Sequence, residues 1–180
     1  MKNILFWNDS VSDQSAAELK AENIPHLIPF VQEEPGNPYP CMIVLPGGGY
    51  EALSMQEAKP VAGWLNGLGI SAFVLHYSVA PARHPQPYHD VRRAIQWVRA
   101  HAEEFNIDPD RVGVLGFSAG GHLAGSAATM WEDPGLAIGD ALDAVSARPD
   151  LAVMSYPVVT AEPGSCHEGS VVNLMGDIPD

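Results

Sequence analysis

Basic residues are scarce. Nine lysines and arginines face 22 aspartates and glutamates, for a formal net charge of −13. Such a surface repels phosphate backbones and anionic lipid, which argues against nucleic acid and membrane partners. Cysteine is scarce too. Cys41 and Cys166 do not make a disulfide framework, and no Cys/His cluster has zinc spacing. Cys41 sits in an apolar run and reads as a buried free thiol. No run of about 18 apolar residues exists, which argues against a transmembrane helix. The apolar start at Ile4-Leu5-Phe6-Trp7 turns polar at Asn8 and is too short for a signal-peptide core. A soluble cytoplasmic protein is therefore the expectation. There is no internal repeat and no low-complexity tract. What is there is a globular composition, 46% apolar and 17% charged. Its 180 residues are enough for one domain with a sizeable core, or for part of a larger one.

Apolar patterning predicts alternating strands and helices. Residues 1–25 read as mixed and polar, with a short helix over 16–22. Residues 26–31 read as a strand whose prolines suggest an edge position. The unbroken apolar run Cys41-Met42-Ile43-Val44-Leu45 reads as a strand buried on both faces. Helical spacing of Ala58, Val61, Ala62 and Leu65 predicts a helix over 56–68, stopped by Gly69. Residues 70–77 read as a strand. Val91, Ala94, Ile95, Val98 and Ala102 predict a helix over 88–104. Residues 106–110 break it, 111–117 form the next strand, and 119–130 form a helix of small residues. A last strand is predicted at 151–156, with 157–180 as loop. This order predicts an α/β domain with a mainly parallel sheet and helices on both faces.

Two motifs carry chemistry. Gly116-Phe117-Ser118-Ala119-Gly120 matches the pattern G-x-S-x-G. The pattern alone is weak; here an apolar strand ends at it and a helix begins there. A nucleophilic serine needs a sharp turn that lifts its hydroxyl out of the sheet, and flanking glycines let strand and helix pack closely around it. The helix N-terminus adds free N–H groups where negative charge develops. The second motif, Pro46-Gly47-Gly48-Gly49-Tyr50, follows a buried strand directly. Acyl transfer needs N–H donors aimed at an oxyanion, and a glycine loop can supply them beside the N–H of Ala119. The alternative is a plain flexible turn.

The sequence resembles the esterase/lipase branch of the α/β-hydrolases related to the hormone-sensitive-lipase group, and especially its acetyl-xylan-esterase-like members. The resemblance is carried by Leu45-Pro46-Gly47-Gly48-Gly49-Tyr50, His76-Tyr77-Ser78-Val79-Ala80-Pro81 and His84-Pro85-Gln86-Pro87. It continues in Asp90-Val91-Arg92-Arg93-Ala94-Ile95 and from Ile107 to Ala124, and covers about residues 40–157. Lipase-like relatives lead the glycine loop with histidine. Pro46 in that place is similar to carbohydrate-esterase-like and dipeptidyl-peptidase-like members. The resemblance implies an α/β-hydrolase fold, Gly48 and Gly49 as oxyanion donors, and hydrolysis of a carboxylic ester such as an acetyl group on a xylo-oligosaccharide. The implied substrate is a small-molecule or oligosaccharide ester. Nothing calls for a metal or an organic cofactor.

A serine hydroxyl also needs a general base and a group that orients the base. In this fold the chain order is Ser, then Asp or Glu, then His. The resemblance implies a full domain of roughly 250–300 residues. Residues 1–180 are therefore expected to be a single α/β-hydrolase domain lacking its last strands and helices. The triad Asp and His are expected beyond Asp180. The strand at 151–156 would then be a bare sheet edge, open to self-association or to a second chain. His122 reads as a packed, hydrogen-bonded histidine, His167 as a surface histidine, and Asp177 and Asp180 as solvated. His76, His84 and His89 either line the cleft or pack. Asp90 and Arg93, three apart on a helix, read as an ion pair. Tyr50 is a candidate for the substrate pocket; Tyr77 fits pocket or core equally. Other readings are a peptidase of the prolyl-oligopeptidase group, an arylformamidase-type amide hydrolase, and an inactive module on the same scaffold. The short segment before the first core strand disfavours the peptidase.

Overall fold

The computed structural model describes residues 2–12, 19 and 22–176. The expected helix over 16–22 falls almost wholly outside them, as do Asp177 and Asp180. In chain order the elements are β1 (Asn3–Leu5), β2 (Ser10–Ser12), β3 (His26–Phe30), β4 (Tyr39–Leu45), α1 (Lys59–Gly67), β5 (Ser71–His76) and α2 (Gln86–Ala100). They continue with β6 (Ile107–Phe117), α3 (Ala119–Thr129), β7 (Ala152–Ser155) and α4 (Glu168–Met175). The strands form one seven-stranded sheet in the order β2-β1-β3-β5-β4-β6-β7. β5, β4, β6 and β7 run parallel; β3 is antiparallel to β5.

The continuous apolar run of β4 is explained by its two buried faces. Cys41, Ile43 and Leu45 join Phe73, Leu75 and Val114 in the core under α2 and α3. Met42 and Val44 join Ala72, Val74 and Leu115 in the core under α1, with Ala62 and Leu65. Side chains alternate across the sheet with period two, so both faces must be apolar and both are covered by helices. Each fully buried Val, Leu or Ile stabilises the fold by about 1.5–3 kcal/mol.

Several sequence expectations change. β3 is not an edge strand; it lies between β1 and β5. It pairs with β1 at Ile4↔Leu27, so Pro29 sits beyond that pairing, where a missing N–H removes no bond to β1. The first residues hold the β1–β2 hairpin, whose three-residue strands are too short for a periodic signal. The predicted helix over 56–68 is a 3₁₀ turn, Met55–Glu57, followed by α1, with Pro60 in its first turn. β6 starts at Ile107, inside the expected break, because Ile107 pairs with Tyr39 before a register shift. The segment 157–180 is not all loop. It contains α4, capped by the His167 imidazole, which accepts from the Ser170 N–H. α4 is held by Asn173 Nδ2 donating to Gly49 O and by His84 N donating to Leu174 O. β7 ends the sheet among the described residues, and Val153 and Met154 are exposed.

The Asp90–Arg93 ion pair is not formed. Asp90 instead accepts from Trp7 Nε1 at 2.8 Å, Ser78 N at 2.7 Å and Gln86 Nε2 at 3.1 Å. Arg93 is buried, pairs with Asp140 and lies over the Trp7 ring. Spacing along a helix makes a pair available, but each side chain turned to a stronger tertiary partner. The hydrogen bonds from Arg93 hold the Asp140 carboxyl below the usual carboxylate range. Its contribution to stability is therefore present above the unfolded-state value and lost as pH falls through the lower folded-state value. Asp140→Asn should cost about 1–2 kcal/mol at neutral pH, since Asp140 itself is half exposed. It should also flatten the loss of stability below about pH 4. Urea unfolding across pH checks both; an unchanged acid limb would refute the assignment.

Candidate active site

The parallel strands β4, β5, β6 and β7 end at one edge of the sheet, and their following loops meet there. Ser118 forms the turn from β6 to α3, with φ 50° and ψ −115°. A non-glycine residue there carries about 1–3 kcal/mol of strain and must be held by its surroundings. Ser118 N donates to Ser155 O at 3.0 Å, and Ser118 O accepts from His122 N and Val158 N. The motif glycines are steric requirements. A Cβ on Gly116 would lie 2.0 Å from Gly120 O, and one on Gly120 would lie 2.1 Å from Leu45 O.

The glycine loop comes to the same place. A Cβ on Gly47 would lie 3.1 Å from Ser118 Cβ and 2.8 Å from Phe117 O. Gly48 (φ 130°) and Gly49 (φ 66°) take backbone angles that favour glycine. The Gly48 carbonyl accepts from Glu51 N and Ala52 N, which closes the turn. The Gly47 N–H is already engaged, donating to Glu57 Oε2 at 2.8 Å. Among the described residues no protein acceptor takes the N–H of Gly48, Gly49 or Ala119. The structure thus brings Ser118 and the glycine loop together, with free donors in both segments and the N-terminus of α3 beside them.

Sequence reasoning missed Glu57. One oxygen holds Gly47 N and the other accepts from the Tyr156 hydroxyl at 2.5 Å, so one carboxylate ties the glycine loop to the segment after β7. That bond raises the Tyr156 pKa. No local pattern signals it, because its partners lie far apart in the chain. Tyr77 is core: its hydroxyl donates to Pro46 O at 2.5 Å and anchors the start of the glycine loop. Burial pushes both the Tyr77 and the Tyr50 hydroxyls well above their ordinary range. Tyr50 is nearly inaccessible, at 2% exposure, with its ring against a cavity and its hydroxyl 2.7 Å from His122 Nδ1. His122 is the packed, hydrogen-bonded histidine that the sequence suggests, and burial lowers its pKa.

His167 is exposed, as expected of a surface histidine, but the surface is the wall of the Ser118 cleft. That cleft, about 290 Å³, also contains Tyr156, Val158, Thr160 and Cys166. The His167 Nδ1 accepts from the Ser170 hydroxyl at 2.8 Å. His76 is buried against His26, with ring centroids 4.3 Å apart; His84 lines the Tyr50–His122 cavity; His89 sits half-buried on α2. No side chain among the described residues hydrogen-bonds Ser118 Oγ. No group of three or more His, Cys, Asp or Glu among them could hold a metal ion. No helix among them is long and apolar enough to cross a membrane.

A serine on a left-handed strand-to-helix turn, at the carboxyl edge of a mainly parallel sheet covered on both faces, defines the α/β-hydrolase class. The acetyl ester-xyloside bifunctional hydrolase from Caldicellulosiruptor lactoaceticus superposes with a TM-score of 0.84 at 43% identity, over 99% of this chain and 64% of that one. MGS-M1, an α/β hydrolase from a Medee basin deep-sea metagenome, superposes with a TM-score of 0.69 at 30% identity, over 90% of this chain and 58% of that one. The chain belongs to the BD-FAE family, whose model matches residues 29–148. The acetylxylan esterase of Xylanibacter ruminicola is 35% identical over 151 residues, 83% of this chain and 28% of that protein. The chain thus spans less than two-thirds of each of these three proteins.

Proposed function

We propose that this chain carries the nucleophile and oxyanion site of a serine carboxylic-ester hydrolase that deacetylates carbohydrate esters of the xylan type. The observation that carries the reading is the left-handed Ser118 turn set directly against the glycine loop. The names of the relatives support the substrate class: an acetyl ester-xyloside hydrolase and an acetylxylan esterase.

In the proposed reaction Ser118 Oγ attacks the ester carbonyl carbon while its proton passes to a general base. The carbonyl oxygen becomes an oxyanion and accepts from the N–H groups of Gly48, Gly49 and Ala119. Removing one such donor typically costs about 3 kcal/mol of barrier. The C–O bond to the sugar then breaks, the alcohol leaves with a proton, and the acyl group stays on Ser118. Water attacks the acyl carbon, releasing the acid and restoring the serine. Tyr50 walls the cavity next to the loop, where part of the substrate would lie.

The test is covalent labelling with a fluorophosphonate, carried out on the protein together with the segment that supplies the general base and read by intact mass, with turnover of p-nitrophenyl acetate alongside. One phosphonyl group per chain on Ser118 is expected, with loss of labelling and turnover in Ser118→Ala. A folded chain that is neither labelled nor active, or one labelled equally in the alanine variant, would overturn the proposal.

A further inference from the structure

A cavity of about 300 Å³ lies beside the Ser118 cleft and shares Val158, Val159 and Thr160 with it as a common wall. Its other walls come from α3 through His122 and Ser126, from Tyr50 at the end of the glycine loop, and from α4 through Leu174. The space is at the small end of the roughly 300–1,000 Å³ of small-molecule sites. It is far larger than an acetyl group needs and of the order of a single sugar ring. Most of the wall is apolar, which suits the C–H face of a pyranose.

Its polar lining includes His122, together with His84, Ser126, Thr160 and Ser170. Tyr50 is buried, so its hydroxyl proton needs an acceptor inside the protein, and His122 Nδ1 at 2.7 Å is the acceptor the structure provides. If Nδ1 carried the proton instead, the Tyr50 O–H would be buried without a partner, a cost of about 1–3 kcal/mol. The hydrogen bond therefore places the imidazole proton on Nε2. This nitrogen has no protein partner among the described residues, and the ring lines the cavity. Burial also keeps the ring neutral at neutral pH.

We propose that His122 is a substrate-recognition residue: its Nε2–H, held in that tautomer by Tyr50, donates to a hydroxyl or ring oxygen of the sugar bound in this cavity. The inference rests on the esterase reading above for the identity of the ligand as the alcohol part of a carbohydrate ester. Tyr50 is then a positioning residue, acting through His122. His122 lies one turn beyond Ser118 on α3, with its N–H on Ser118 O at 3.0 Å, so donor and proposed nucleophile are fixed by one rigid helix.

The experiment is nitrogen-15 NMR of the full chain labelled at histidine, titrated with methyl β-D-xylopyranoside, which contains no ester. At neutral pH His122 is expected as the Nε2–H tautomer with a bare Nδ1, and Tyr50→Phe is expected to yield a mixture of tautomers. The xyloside is expected to shift the Nε2 resonance saturably. His122→Phe is expected to weaken xyloside binding about tenfold, the loss of one hydrogen bond. An Nδ1–H tautomer overturns the proposal. So does a His122 resonance that the xyloside leaves unmoved in a chain whose Ser118 still reacts with fluorophosphonate, and in that case the esterase reading stands. A saturable shift in a chain whose Ser118 does not react even when the segment supplying the general base is joined to it supports the sugar site and overturns the esterase reading.

Discussion

Gly120→Ala is expected to lose about 3–5 kcal/mol of stability, a large part of the roughly 5–15 kcal/mol available to a domain. By helix propensity alone the substitution should help, by up to about 1 kcal/mol. The close approach decides the sign. A Cβ at this position would stand 2.1 Å from Leu45 O and 2.6 Å from Pro46 O. Both are backbone atoms at the end of the central strand, and neither can step aside without moving β4 against β6. The strand end that would move leads into the glycine loop, so fluorophosphonate reactivity should fall together with stability. Gly125→Ala, on the same helix, is the control. Its Cβ would stand 2.8 Å from Met154 Sδ, the flexible end of an exposed side chain that can rotate away. Urea denaturation separates the two variants. Equal stabilities would show that helix and strand do not meet as closely as described.

Asp90→Ala is expected to cost about 3–5 kcal/mol, through the loss of a buried carboxylate that serves three donors at once. Asp90 is fully buried, and burial pushes its pKa up while the donors at Ser78, Trp7 and Gln86 pull it back. Removing the side chain leaves the buried Ser78 N–H and the Trp7 indole N–H without their acceptor. It also uncouples α2 from both the loop after β5 and the first hairpin. Asp90→Asn keeps one acceptor oxygen but turns an amide donor toward a donor, so an intermediate loss is expected. Thermal unfolding of the three proteins at one pH gives the order. If Asp90→Ala proves as stable as the unsubstituted protein, the three bonds contribute nothing net.

The Ser118 turn and the glycine loop were legible because each depends on backbone conformations that few residues adopt. Gly116 and Gly120 mark a place where two backbones touch, and Gly48 and Gly49 mark left-handed turns. The central strands were legible because a strand buried on both faces must be apolar at every position, as 41–45 are. The edges were not. β1 and β2 are three residues each, and α4 is a short helix held by contacts to Gly49 and His84. Proline in β3 suggested an edge, because a sequence cannot show that the neighbouring strand stops before Pro29.

Polar partnerships divided in the same way. The spacing of Asp90 and Arg93 offered a helix pair of a few tenths of a kcal/mol, and both residues took deeper partners from distant segments. Glu57 carried no signal at all, although it holds the loop beside Ser118. The sequence by itself determined that a serine stands on a tight strand-to-helix turn, that a glycine loop follows a buried strand, and that the fold is an α/β sheet covered on both faces. Those features are written in local steric rules and in the period of apolar residues. Only the tertiary structure decided that Gly47 and Ser118 meet, that Glu57 binds the loop, and that the Tyr50 hydroxyl meets His122 Nδ1. These are contacts between residues many positions apart, and the free energy that selects them exists only once the chain has packed.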